Sequence, residues 1–130
     1  MAKDLICVVD DDESIRRTTK LLIESFGFRV GVFETAGEFL KYDDLNRTSC
    51  LVVDVQMPGM DGLQLQSQLA AIGRRLPVIF ITAYDSNEYR RRAMHAGAVA
   101  FLDKPFSDEQ LLQAIRSALR HEDGIKNSAG

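Results

Sequence analysis

The chain has two cysteines in 130 residues, too few for a disulfide-stapled scaffold. Cys7 and Cys50 both sit inside apolar runs, so they read as buried, reduced thiols acting as small hydrophobes. No apolar run approaches the ~20 residues needed to span a bilayer. The N-terminal MAKDLICVVDDD carries a short apolar stretch that ends in acid, which is not the pattern of a signal peptide. These features lead to an expected cytoplasmic location. Charge is scarce in one sense as well. A net charge of −3 gives no reason to expect nucleic acid or an acidic membrane as the main partner. Several signatures are missing: G-x-G-x-x-G, the P-loop, H-E-x-x-H and CxxC. The acidic cluster near the N-terminus lacks the Gly and Glu spacing of an EF-hand. There is no internal repeat and no low-complexity tract.

What is present is ordinary globular composition, 45% hydrophobic and 27% charged, in a length that suits one domain. Five short apolar or β-branched runs recur: LICVV (5–9), RVGVF (29–33), CLVV (50–53), PVIFI (77–81) and AVAFL (98–102). Three are nearly continuous in apolar character, as expected for parallel strands buried on both faces. Between them lie segments of helical period. Ile15, Leu22 and Phe26 share a face of the first; Leu65, Leu69 and Ile72 of the third; Leu111, Ile115 and Leu119 of the last. Thr35 with Glu38, Asp85 with Glu88, and Ser107 with Gln110 have the spacing of a helix cap and its partner. Strand–helix alternation repeated five times predicts an α/β open parallel sheet covered on both faces. The final HEDGIKNSAG reads as a polar tail or the start of a linker, which puts the domain at 1–121 and the tail at 122–130.

Such sheets place ligands at the carboxyl ends of their strands. After the first run come Asp10, Asp11 and Asp12; after the third, Asp54; after the fourth, Thr82; just after the fifth, Asp103 and Lys104. Two carboxylates ~5 Å apart at an effective dielectric of ~20 repel by roughly 3 kcal/mol. A cluster of them needs a compensating cation. Magnesium prefers oxygen ligands, takes one or two carboxylates and leaves room for a phosphate oxygen. The duller reading makes Asp12 a helix cap and Asp10 and Asp11 a solvated turn. Asp12 fits that role, because a helical pattern starts right after it. For Asp10 and Asp11, the polar groups at neighbouring strand ends favour a site. In the loop after Asp54, Pro58 and Gly59 make a turn, Asp61 caps the next helix and Gly62 allows close approach.

Four stretches carry a resemblance: VVDD at 8–11, D-x-x-M-P-x-M-D-G at 54–62, ITA at 81–83 and KPF at 104–106. Together they resemble the CheY-like receiver domain of bacterial two-component response regulators over residues ~4 to 121. The ETAGEFL segment and GRRLPVIFITAYD are most similar to receivers of the FixJ type. The resemblance implies a flavodoxin-like (βα)5 doubly wound parallel sheet of order 2-1-3-4-5. It implies that Asp54 is the phosphoacceptor and that Asp10, Asp11, Asp54 and the backbone carbonyl of Gln56 form a Mg2+ site, with Asp10 acting mainly through water. Thr82 and Lys104 are implied to bind the phosphoryl group, Thr82 and Phe101 to act as the switch, and Lys104–Pro105 to be cis. The implied partners are a sensor histidine kinase, a second copy through the fourth helix, fifth strand and fifth helix, and a DNA-binding output domain. That output domain is either missing because the receiver was cut from a longer regulator, or never present.

Other residues carry weaker signals. Arg90, Arg91 and Arg92 read as a solvated face or a partner contact. His95 suits the end of the fourth helix, where a cation favours the dipole. His121 falls in the tail. Tyr84 reads either as a gate to Asp54 or as an exposed loop aromatic, and Tyr89, Ala93 and Ala96 share a face suited to packing. Two competing functions stand beside the switch: a haloacid-dehalogenase-type phosphatase, and a degenerate receiver used only for protein contacts. The phosphatase pattern D-x-D has Gln at 56 here, and its acidic pair usually follows the nucleophile, whereas here it precedes it. The expected protein is therefore a switch that assists its own phosphorylation and dephosphorylation, and not a turnover enzyme.

Overall fold

The computed structural model describes residues 4–57, 59–83 and 87–129, with side chains through residue 120. Strands β1 (Leu5–Val9), β2 (Arg29–Phe33), β3 (Thr48–Asp54), β4 (Val78–Thr82) and β5 (Ala100–Asp103) alternate with five helices. These are α1 (Glu13–Ser25), α2 (Ala36–Leu40), α3 (Gly62–Ala71), α4 (Asn87–His95) and α5 (Asp108–Ala129). All strand pairings are parallel, in the order β2-β1-β3-β4-β5. This is the flavodoxin-like arrangement that the resemblance implies.

The three near-continuous apolar runs became β1, β3 and β4, the central strands, buried along their whole length. Their side chains alternate between two layers, as the pleat requires. Leu5, Cys7, Val9, Leu51, Val53, Val78 and Phe80 meet Phe39 of α2, Leu65 and Leu69 of α3 and Ala93 of α4. Ile6, Val8, Cys50, Val52, Ile79 and Ile81 meet Ile23 of α1 and Leu111, Ile115 and Ala118 of α5. β2 lies at an edge and is only partly covered.

Caps fix where the helices start, and so where the loops of the site end. Asp12 accepts the Ile15 amide at 3.1 Å, and Thr35 accepts that of Glu38 at 3.1 Å. Asp61 and Gln64 form a reciprocal capping box, as do Ser107 and Gln110. Asp85, the cap expected to pair with Glu88, and Tyr84 lie outside the described residues.

Two local expectations need correcting. Ile72 is 56% exposed rather than part of the α3 stripe. It is the residue that closes α3, and Gly73 at φ 78° turns the chain away directly afterwards. Ala96 is exposed, because α4 ends at His95, whereas Ala93 is buried as expected. The segment read as a polar tail continues α5 as helical backbone to Ala129. It carries no Pro, and its Gly124 lowers helix propensity without forbidding the conformation.

Candidate functional site

The carboxyl ends of β1 and β3 lie side by side, with Val9 in register with Val53. The next residue of β1's chain, Asp10, therefore emerges beside Asp54. Asp10 is fully buried, Asp54 nearly so, and Asp11 is exposed. One oxygen from each of Asp10, Asp11 and Asp54 falls in a group whose members are all within 4.8 Å of one another. This is the convergence that the strand-end reading requires.

Each acid is held by its backbone surroundings. Asp10 accepts the Asp12 amide on Oδ1 at 2.9 Å, and its carbonyl accepts from Arg16 Nη1 at 2.8 Å. Asp54 accepts the Gln56 amide on Oδ1 at 2.9 Å. That contact turns the chain sharply after β3. Gly62 makes the turn fit: a Cβ there would stand 2.8 Å from the Phe80 ring and 3.0 Å from the Asp54 carbonyl. The close approach expected of this glycine is therefore a steric necessity at the base of the site.

One ammonium reaches into the group. Lys104 Nζ donates to Asp54 Oδ2 at 2.8 Å and to Asp10 Oδ2 at 3.5 Å. Lys104 is aimed by its strand end. Its amide donates to the Thr82 carbonyl at 2.7 Å, and the Lys104–Pro105 bond is cis, as expected. Burial works against the ammonium. The hydrogen bond to Asp54 and the charges of Asp10 and Asp54 outweigh it and hold the Lys104 pKa above its ordinary value. The Asp10 carboxyl is pushed up, first by burial and further by the Asp54 charge; the Asp12 amide and Lys104 oppose this without cancelling it.

Three carboxylates and one ammonium leave an excess of negative charge. A donor set made only of carboxylate oxygens suits a hard dication, and Asp11 stands on the open side where waters would complete its shell. The residues present therefore fit magnesium.

Thr82 ends β4, is buried, and pairs in register with Asp103. Phe101 is also buried. Its ring lies 6.1 Å from that of Phe80, inside the layer formed with α3 and α4. Of the basic run, Arg91 is exposed, Arg92 lies 5.9 Å from the Tyr89 ring, and Arg90 packs over Phe101. One contributor escaped the sequence reading, Arg16, which fixes the Asp10 carbonyl, while Arg90, read there as a solvated face or a partner contact, packs on Phe101. Arg16 had a detectable signal, since one turn into α1 it faces back toward the strand end.

Residues 6–116 match the response regulator receiver domain family. The chain belongs to that family. As a receiver domain it is similar to nodulation protein W of Bradyrhizobium diazoefficiens, 42% identical over 120 residues, which cover 92% of this chain and 53% of that protein. It is 37% identical to the transcriptional regulatory protein FixJ of the same organism over 126 residues, covering 97% of this chain and 62% of FixJ. Among solved structures, the response regulator StyR superposes with a TM-score of 0.90 at 42% identity, covering 98% of this chain and 65% of that one. The receiver spans about half the length of the first curated relatives it matches. Receiver domains bind Mg2+ at an acidic pocket, and Asp10, Asp11 and Asp54 form the acidic group of this one. Among the described residues no helix is long and apolar enough to cross a membrane.

Proposed function

We propose that this receiver accepts a phosphoryl group on Asp54 from a phosphohistidine of a sensor histidine kinase in the cytoplasm, and that the modification changes its affinity for partners. The observation that carries the reading is the contact of Lys104 with Asp54 at 2.8 Å, inside a group of three carboxylates. It gives one carboxylate a cation and a metal-competent neighbourhood at the same time.

In this reading an Asp54 oxygen attacks phosphorus, the phosphorus–nitrogen bond of the donor breaks, and the histidine nitrogen leaves with the electron pair. Phosphoryl transfer asks little covalent chemistry of the protein and much charge neutralisation. Asp11, Asp54 and the Gln56 carbonyl, with Asp10 through water, would hold magnesium, whose charge would offset that of the phosphoryl oxygens. Lys104 passes from the Asp54 carboxylate to a phosphoryl oxygen, and its raised pKa keeps it charged for the task. The Thr82 hydroxyl binds another of these oxygens, and its movement is coupled to Phe101. The protein serves as a switch, assisting its own phosphorylation and dephosphorylation without turning over a separate substrate. The output is a homodimer through α4, β5 and α5 that drives a DNA-binding domain; its end, regulation of transcription, is what the name of the transcriptional regulatory protein FixJ suggests.

Incubation with acetyl phosphate, followed by intact mass spectrometry, tests the reading. The expected result is a gain of one phosphoryl group that requires magnesium and is absent in Asp54→Asn. No gain under any condition favours a receiver used only for protein contacts. Steady hydrolysis of a free phosphate ester favours the phosphatase.

A further inference from the structure

The basic run on α4 is not a uniform solvated face. Arg90 folds back onto β5 and makes three contacts there. Its guanidinium carbon lies 4.8 Å from the centre of the Phe101 ring. Nη1 donates to the Phe101 carbonyl at 3.5 Å, and Nη2 donates to Asp103 Oδ2 at 2.9 Å. Phe101 and Asp103 are two residues apart on one strand, so they present to the same side. One planar cation thus covers the aromatic ring and pairs with the carboxylate next to it. The same ring also neighbours Phe80, 6.1 Å away between centroids, so Phe101 touches both a core aromatic and the Arg90 guanidinium. Asp103 directly precedes Lys104, the residue that reaches Asp54.

We propose that Arg90 is a positioning residue of the switch: it holds Phe101 in the buried orientation and ties α4 to the strand end that carries Lys104. The coupling part rests on the proposed roles of Asp54, Thr82 and Phe101; the clamp itself does not. In the proposed switch Thr82 moves toward the phosphoryl oxygen and Phe101 turns into the space it leaves, so phosphorylation favours the buried ring. By linkage, a residue that favours the buried ring also favours phosphorylation. A lysine cannot replace Arg90 fully, because an ammonium lacks both the planar stack and the forked donor pair.

Fluorine NMR of protein labelled with 3-fluorophenylalanine tests the clamp without phosphorylation. There are seven phenylalanines, and the Phe101 line is the one lost in Phe101→Leu. Arg90→Met is expected to move that line toward the solvent-exposed position, with a smaller shift in neighbouring Phe80 and the other five left in place. Arg90→Lys should move it part of the way, and Asp103→Asn, which keeps the stack, less than Arg90→Met. A cation–π contact and a half-exposed ion pair together bias an equilibrium by about threefold to tenfold, so acetyl phosphate should phosphorylate Arg90→Met slower by that factor. An unmoved Phe101 line overturns the clamp. A freed ring with an unchanged phosphorylation rate overturns the coupling. Absence of phosphorylation in the unsubstituted protein refutes the reading of Asp54 and leaves the ring result to decide the clamp. Should Arg90→Met lose all seven lines to unfolding, the shift in Asp103→Asn decides: movement supports the clamp and none overturns it.

Discussion

Replacing Asp10 by Asn should stabilise the metal-free protein. Asp10 is fully buried, and the oxygens of Asp11 and Asp54 that group with it lie within 4.8 Å. At an effective dielectric of ~20, repulsion from Asp54 at that distance is about 3.5 kcal/mol; exposed Asp11, facing water, adds about 1 kcal/mol. Attraction to Lys104 Nζ at 3.5 Å returns about 4.7 kcal/mol on the same scale. The charge terms nearly cancel, which leaves the cost of burying a carboxylate. The raised Asp10 pKa has the same leading cause. Asn keeps an oxygen for the Asp12 amide, and Lys104 keeps Asp54. The expected gain is about 1–2 kcal/mol, or roughly 3–8 °C in Tm for a domain of this size. Magnesium should reverse the order. At ten times its Kd it stabilises the unsubstituted protein by about 1.4 kcal/mol, and Asp10→Asn should lose most of that. The pH dependence follows. With its folded pKa raised, Asp10 binds more protons in the native state than in the unfolded chain. It therefore makes the metal-free protein lose stability as pH rises from about 4 through the shifted value, a loss that Asp10→Asn removes. Thermal unfolding with and without MgCl2, across pH, reads all three effects. An Asn variant no more stable without metal, or equally responsive to it, refutes the reasoning.

Three further outcomes are expected. Lys104→Met leaves Asp54 and Asp10 without their cation and should lower metal-free stability by about 1–3 kcal/mol in urea unfolding, with magnesium recovering part of the loss. Gly62→Ala drives a methyl group against Phe80 and the Asp54 carbonyl; it should cost about 1–3 kcal/mol and slow phosphorylation, while Gly37→Ala, whose nearest contact is at 3.8 Å, should do neither. The Cys7 thiol, pushed up to about 11 by burial, should resist alkylation at pH 8 in the folded protein and react once it is unfolded, as seen by mass.

Much of the fold was legible because burial writes itself into composition. The near-continuous apolar runs at 5–9, 50–53 and 77–81 became the central strands within a few residues at each end. The site was legible for a related reason: a charged residue directly after a buried strand marks the edge where the sheet opens to water. Asp10 and Asp54 were found in this way. Strand order was not legible from periodicity and came with the family resemblance. Side-chain reach was also hidden. Helical period places Arg90 on a face but does not say that its long stem folds back over Phe101. Ile72 misled for a backbone reason, since helical period continues past the residue where Gly73 turns the chain. Thr19 shows the converse, a polar residue buried on α1 along with Ile23.

The central claim is that Asp10, Asp11 and Asp54 hold one dication beside an acceptor oxygen. Manganese soaked into crystals of the protein, located by its anomalous scattering, tests it most directly. The account predicts a single strong peak about 2.0–2.2 Å from carboxylate oxygens of Asp11 and Asp54, with Asp10 at its edge. A peak bound elsewhere, or none at this group under conditions that support phosphorylation, would contradict it.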